Sequence, residues 1–190
     1  MAELHPLVAA AADRGELPAW AACEPGRRRH AERVSALLDE WAGELGLDGE
    51  DRRRWRAAGI LHDALRDASP EELRSGEGLP DWPDALLHAP ACAARLRREG
   101  VDDDALLLAV AHHPVGHPDF GPLGDHLYMA DYLEPGREFA EERRARLRGR
   151  MPDDGEAVLV EVIRDRLRHL LDRDAPILEA SIRYWNRRVG

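Results

Sequence analysis

The sequence predicts an all-α protein of about seven helices that form a single-domain bundle over residues 1–190. Apolar residues recur mostly at helical spacing, and alternating strand patterns are scarce. Hydrophobic residues make up 44% of the 190 residues, which suits a chain with a buried core. We expect the core of the bundle at about residues 26–140, with C-terminal helices over about 155–189 packing on it.

The helical pattern occurs in seven segments with intervening breaks. The third ends at Gly100 and the fourth before Pro114, which are residues that commonly end helices. Two stretches rich in Gly and Pro, 68–84 and 114–124, are predicted as loops, and 141–155 as a solvated helix end and loop. In chain order the predicted helices are 30–45, 51–65, 83–100, 102–113, 121–135, 154–173 and 176–188.

Charge and composition exclude several classes of protein. The net charge of −10 argues against non-specific binding to duplex nucleic acid, and no apolar run approaches the length of a membrane span. The first residues lack a basic region followed by an apolar core, and the two cysteines, Cys23 and Cys92, form no close pair. We therefore expect a cytoplasmic protein with a small-molecule partner and no nucleic acid or membrane partner, and a homodimer is left open.

Four predicted helices each carry a histidine on their apolar side. A lone histidine there is usually a satisfied core residue, but four inward imidazoles need partners, and one metal site would supply all of them. In the fourth of these helices either His112 or His113 could be the inward histidine, and the spacing from Leu106 and Val110 favours His113. The four histidines are His30, His62, His88 and His113.

Two aspartates complete this constellation. Asp63 directly follows His62 in "GILHDALRD", and Asp131 shares the inner face of the fifth helix. Four imidazoles and two carboxylates exceed a closed tetrahedral zinc site and suit octahedral iron or manganese. We expect Asp63 to bridge two ions about 3.5–4 Å apart, an arrangement that clamps a water and a phosphate oxygen for hydrolysis of phosphate esters and anhydrides.

Four segments of the chain carry a resemblance to a known family. "ILHDALRD", "LLHAPACAARL", "AVAHHPVG" and "LYMADYLEPGR" resemble, in order and spacing, the HD-domain metal phosphohydrolases, and among them the YqeK-type bacterial hydrolases. The resemblance runs from about His30 to the closing segment "ILEASIRYWNRR". It implies an HD-domain fold and symmetric cleavage of diadenosine tetraphosphate into two ADP. It also implies a dinuclear, iron-type site, with manganese or another transition metal as the alternative, held by His30, His62, Asp63, His88, His113 and Asp131.

Three arginines and one histidine are candidates for contact with substrate. Arg137 closes "EPGR", where the resemblance implies a grip on phosphate, and Arg66 follows His62 by four residues, on the same side as the metal. With Asp63 as bridging ligand, both arginines are assigned to catalysis, since they would offset charge on the phosphoryl group that a bridging hydroxide attacks. For each candidate, the alternative to substrate contact is a structural role in a surface salt bridge or at a solvated position. The substrate-binding candidates are Arg28, Arg66, His117 and Arg137.

The chain departs from the family pattern at a few positions. Pro114 stands where threonine is usual, Ala31 where serine is usual, and Arg66 where many HD proteins carry lysine. These differences leave other interpretations open. One is an HD phosphohydrolase acting on nucleoside mono- or triphosphates, another is a metal-containing nucleotide sensor with little turnover, and the third treats all the histidines as core residues.

Overall fold

Ten α-helices make up the regular structure of the described residues, and the all-α prediction is confirmed. The computed structural model describes residues 4–75, 78–137 and 139–190 and contains no strand within those ranges. The helices are α1 (Pro6–Arg14), α2 (Pro25–Glu44), α3 (Gly49–Leu61), α4 (Pro70–Arg74), α5 (Asp84–Arg98), α6 (Asp104–His112), α7 (Pro122–Leu133), α8 (Glu141–Arg148), α9 (Gly155–Leu171) and α10 (Glu179–Val189).

The predicted count of about seven helices is too low, because the pattern does not mark α1, α4 or α8. Helix α4 has five residues, too few for a periodic pattern, yet Ser69 and Glu72 form a capping box at its start. Helix α8 is almost entirely charged, and only Leu147 among its apolar side chains is buried. Residues 76–77 of the predicted loop 68–84 lie outside the described residues.

The close packing of α2 against α3 brings two of the predicted ligand-bearing segments together. Val34, Leu38 and Trp41 of α2 are buried in the core that α3 also lines. At the crossing, a Cβ atom added to Gly59 would lie 2.5 Å from the Cα atom of Ser35. Because that neighbour is backbone, only glycine permits this approach, which sets the distance between the middle of α2 and the last turn of α3.

The C-terminal helices are attached to the bundle through buried polar contacts as well as apolar ones. Helix α9 packs on α7, and α10 packs on α9. The Tyr184 hydroxyl donates to Asp125 Oδ1 at 2.6 Å, and Arg188 Nη2 donates to both oxygens of the same carboxylate at 2.6 and 2.7 Å. The Tyr184 ring also lies against Gly116, whose φ of +79° favours glycine. These contacts connect the end of the chain to α7.

Two further features concern the apolar helices and the cysteines. Within the described residues, no helix is both long and apolar enough to cross a membrane. Cys23 and Cys92 are both free thiols.

The crossing of α2 and α3 yields a stability prediction. Gly59→Ala should lower the free energy of unfolding by roughly 1–3 kcal/mol, because the added methyl group forces the two backbones apart. Gly26→Ala is the matched control, since nothing lies within 4 Å of its added Cβ atom. Urea denaturation followed by circular dichroism measures both. Equal stability of the two variants would contradict the assigned close approach.

Candidate metal centre

Four buried imidazoles meet between the helices of the bundle. His30 lies in α2 and His88 in α5, whereas His62 and His113 directly follow the last residues of α3 and α6. All four are at most 5% exposed. The ring centroids are 5.3 Å apart for His30 and His62, 4.7 Å for His62 and His113, and 5.3 Å for His88 and His113. The structure therefore brings the four predicted histidines into one cluster.

Helix α3 is shorter than predicted, and this changes how His62 and Asp63 are presented. The predicted helix continues through both residues to 65, but α3 ends at Leu61 and Asp63 lies in a turn. The Ala64 and Arg66 amides donate to carbonyl oxygens three residues earlier rather than four. His62 and Asp63 both lie at this end of α3, and His62 Nε2 is 3.7 Å from Asp63 Oδ2.

Three of the imidazoles are oriented by the same local hydrogen bond. The Nδ1 atom donates to the carbonyl three residues earlier, at 2.8 Å for His62, 3.1 Å for His88 and 2.9 Å for His113. For His62 and His113 that carbonyl lies in the last turn of a helix, where carbonyl groups lack a backbone N–H partner within the helix. With Nδ1 engaged, Nε2 is the free ligand atom in each ring, as is common for metal-binding histidines.

Asp63 lies at the centre of the cluster, with a different pair of imidazoles at each carboxylate oxygen. Oδ1 is 3.1 Å from His88 Nε2 and 3.4 Å from His113 Nε2. Oδ2 is 3.7 Å from His62 Nε2 and 3.9 Å from His30 Nε2. Asp63 thus belongs to two groups of three potential ligands, one with His30 and His62 and one with His88 and His113. This is the arrangement that a carboxylate bridging two cations requires.

Asp131 closes the cluster on the side of α7. Its Oδ1 lies 3.1 Å from His30 Nε2, and the residue is 8% exposed. Arg137 Nη2 donates to the same oxygen at 2.7 Å, and Arg166 Nη2 donates to Oδ2 at 2.7 Å. Sequence reasoning missed Arg166, because it lies 35 residues from Asp131 within an ordinary charged helix face and no local motif marks it.

His30 is oriented by a carboxylate instead of a backbone carbonyl. Its Nδ1 lies 3.1 Å from Glu134 Oε1, and Glu134 is 1% exposed. Glu134 also accepts from the guanidinium of Arg33 and, at 2.7 Å, from the backbone N–H of Gly136. The "EPGR" segment indicates Glu134 as a partner of nearby ligands or of Arg137, whereas no pattern in the sequence marks Arg33.

The pKa shifts indicate that the carboxylates of the site are ionised and that the site favours binding of a cation. Burial acts to raise the pKa of Asp63 and of Asp131, but their imidazole and guanidinium neighbours hold both well below the usual range. Burial lowers the pKa of His62 to about 4, so this ring is neutral near pH 7. At His30 burial acts in the same direction, but Asp131 and Glu134 outweigh it and raise the pKa to about 9. A metal ion would supply the positive charge that this proton supplies otherwise.

Two neighbouring cavities lie beside the cluster. One, of about 160 Å³, lies over Asp63 and is lined in part by Arg66, Arg137 and Arg27. The second, of about 240 Å³, extends toward α8 and α9 and shares Pro114, Asp131 and Arg137 with the first. Arg66 is held there by a bond from Nη1 to the Ala85 carbonyl at 3.0 Å. The cationic lining suits an anionic ligand.

Two candidate substrate-binding residues lie elsewhere. Among the described residues, neither cavity lining includes Arg28 or His117. Arg28 instead pairs with Glu32 at 3.3 Å, while Arg27, which was not predicted, lines the cavity. The His117 ring packs on His112 at a centroid distance of 4.4 Å. The substrate roles of Arg28 and His117 therefore gain no support from their positions.

The structure also gives the positions of His112, Pro114 and Ala31. His112 packs edge-on against the Trp82 ring at a centroid distance of 5.3 Å, whereas His113 is the neighbour that faces Asp63. The unusual Pro114 offers its carbonyl to Arg166 Nη1 at 3.1 Å, and Ala31 is 2% exposed.

Comparison with known proteins places the chain in a family. The HD domain family model matches residues 27–173, and the chain belongs to the HD domain family. It is 28% identical over 148 residues to a symmetrical bis(5'-nucleosyl)-tetraphosphatase of Halalkalibacterium halodurans, covering 74% of this chain and 78% of that protein. It is 29% identical over 146 residues to the protein of the same name from Bacillus subtilis, covering 73% and 77%.

A solved structure supports the same fold. The crystal structure of a protein from Clostridium acetobutylicum, described as a predicted HD superfamily hydrolase involved in NAD metabolism, matches with a TM-score of 0.73 and 26% identity. The match covers 85% of this chain and 87% of that chain. The predicted HD-type fold is confirmed.

The contact between Glu134 and His30 yields a prediction about metal binding. Glu134→Gln removes the negative charge that makes His30 a stronger ligand and weakens the link to Arg33, so metal affinity should fall by about 10–100-fold. Titration of manganese or ferrous iron into chelator-treated protein measures the change. Glu142→Gln, at an exposed position of α8, is the control. Unchanged affinity in Glu134→Gln would show that His30 needs no orientation by this carboxylate.

Proposed function

We propose that this protein is a metal-dependent phosphohydrolase that cleaves diadenosine tetraphosphate symmetrically into two ADP. The observation that carries the proposal is the position of Asp63, with two imidazoles at each carboxylate oxygen, below a cavity lined by Arg66 and Arg137. Metal-bridging carboxylates beside cationic side chains are suited to phosphoryl transfer. We further infer that residues 1–190 form one HD domain.

The donor set fits two transition-metal ions. Imidazole nitrogens with carboxylate oxygens suit iron or manganese, and six ligands exceed the four of a structural zinc site. We assign iron as the first choice, with manganese or another transition metal as the alternative. The proposed ligands are His30, His62, Asp63, His88, His113 and Asp131.

Two bound ions would supply Lewis acidity toward a phosphoryl oxygen and lower the pKa of a water molecule between them. The chain's own contribution is to hold the substrate and its charge. Arg137 lines both cavities, and its buried Nε lies 3.6 Å from Glu134 Oε1. Its Nη2 remains on Asp131, so the guanidinium is held rigidly while it binds.

Arg66 provides a second cation at the other side of the cavity. Its Nη1 lies 3.5 Å from His88 Nδ1 and donates to the Ala85 carbonyl, which directs the guanidinium over the cluster. Arginine stays charged at any ordinary pH, so Arg66 acts as a phosphate clamp and not as a base. Charge that develops on the phosphoryl oxygens is thereby offset from two sides.

The choice of substrate rests on the relatives. The proteins from H. halodurans and B. subtilis, whose names describe symmetrical cleavage of dinucleoside tetraphosphates, align over about three quarters of this chain. Symmetric cleavage breaks the central anhydride, which requires phosphates on both sides of the attacked phosphorus to be held. The two neighbouring cavities, which Arg137 lines together, provide room for phosphates on both sides.

The direct test is product analysis. Protein purified without chelator is incubated with diadenosine tetraphosphate and ferrous iron or manganese, and products are separated by anion exchange. We expect ADP alone. Asp63→Asn should lower kcat by more than about 100-fold, because even loss of an outer partner of a metal ligand costs 10–100-fold. The exposed Asp102→Asn is the matched control and should retain activity.

Other outcomes would contradict the proposal in different ways. AMP together with ATP would mean asymmetric cleavage at the same centre. Faster turnover of nucleoside mono- or triphosphates would assign a different nucleotide substrate. Bound metal with tight nucleotide binding and no turnover would favour the nucleotide sensor.

A further inference from the structure

The cavity beyond Asp131 contains a buried cation that the proposed reaction does not yet use. This cavity, of about 240 Å³, lies between α7, α8 and α9, and Asp131 and Arg137 line both it and the cavity over Asp63. Arg144 of α8 lines it and is 1% exposed, one of the largest fully buried side chains of the described residues. Burying a charged group is costly unless it is paired, so its partner needs to be identified.

The Arg144 guanidinium is held by two aromatic rings and lacks a full set of acceptors. Its Cζ atom lies 3.7 Å from the Phe139 ring centroid and 4.3 Å from that of Tyr132. The rings attract the cation through their faces, but a face provides no acceptor for the N–H groups in the guanidinium plane. Its Nε and Nη1 atoms have no hydrogen-bond partner among the described residues. The sandwich orients the fork and leaves its edge unsatisfied.

The carboxylates that line this cavity are already bound by other arginines. Asp131 accepts from Arg137 and Arg166, and Asp165 accepts from Arg143 at 2.6 and 2.9 Å. Burial, together with the nearby charges of Arg137 and Arg166, lowers the pKa of Arg144. Among the described residues that line the cavity, arginines outnumber carboxylates, and an anion bound there would relieve this excess of positive charge.

We propose that Arg144 binds a phosphoryl group of the substrate's polyphosphate chain, making this cavity an anion subsite beside the metal centre. The inference rests on the proposed function and extends it. Arg137, which lines both cavities, connects the cluster to the subsite, so phosphates leaving the reacting centre pass Arg137 and meet the Arg144 fork. Arginine forks match phosphate oxygens in a bidentate manner. Because Tyr132 and Phe139 each turn a face to the guanidinium, the site selects for phosphate rather than for a stacked base.

Nucleotide binding to the full chain as purified tests this subsite. ADP and adenosine are titrated calorimetrically into wild type, Arg144→Gln and Arg144→Lys. We expect Arg144→Gln to weaken ADP binding at least tenfold and to leave adenosine binding unchanged. Arg144→Lys should recover part of the loss. In the hydrolysis assay, Arg144→Gln should raise KM for diadenosine tetraphosphate more than it lowers kcat, as a contact made by the bound substrate would.

Control measurements separate a binding role from a structural one. Arg146→Gln removes a charge from an exposed position of the same helix and should leave ADP binding unchanged. Arg144→Gln also removes the contacts with the Tyr132 and Phe139 rings, so the titrations are made well below the Tm of each variant. Equal loss of ADP and adenosine binding would overturn the proposal in favour of a structural role.

The subsite and the proposed function fail in distinguishable ways. If wild type hydrolyses diadenosine tetraphosphate but Arg144→Gln keeps its ADP affinity and KM, the subsite is wrong and the function stands. If wild type cleaves no dinucleoside tetraphosphate but Arg144→Gln still loses ADP affinity, the anion site stands and the function is wrong. A wild-type protein that binds no ADP would overturn the subsite.

Discussion

One buried carboxylate, Asp63, is the group on which the rest of the structure depends. An ionised carboxylate in the interior is expensive unless it is surrounded by partners, and here each oxygen faces two imidazoles. Those imidazoles come from α2, the end of α3, α5 and the end of α6. The four helices must therefore converge on a single point. The Gly59 contact with α2 and the shortened end of α3 are two local features that allow this convergence.

A second layer of charged groups holds the outer side of the cluster. Glu134 orients His30, and Arg137 and Arg166 fix the two oxygens of Asp131. Arg166 comes from α9, so the C-terminal part of the chain contributes directly to the centre and does not merely cover the bundle. Arginines thus bind the carboxylates on the outer side of the cluster. Arg144 lies farther out, beside a cavity, and has no carboxylate partner among the described residues.

Sequence reasoning succeeds where a strong local pattern exists. The helical periodicity predicts the long helices, and the inward register of the histidines, with Asp63 beside His62, is enough to predict the central cluster. It fails where contacts join distant segments, because nothing local marks Arg166 or Arg33 as partners of Asp131 and Glu134. Short or highly charged helices such as α4 and α8 also escape, since periodicity needs length and apolar residues. Arg144 lies in a segment that the pattern assigns to solvent for that reason.

The central claim is that Asp63 organises two metal ions and not one. The most direct measurement is the stoichiometry of manganese or ferrous iron bound by chelator-treated protein, determined by calorimetric titration and checked by elemental analysis. The account predicts two ions per chain. In Asp63→Asn the affinity for both ions should fall, because both share that carboxylate. A single ion per chain, or two ions whose binding is unaffected by Asp63→Asn, would contradict it.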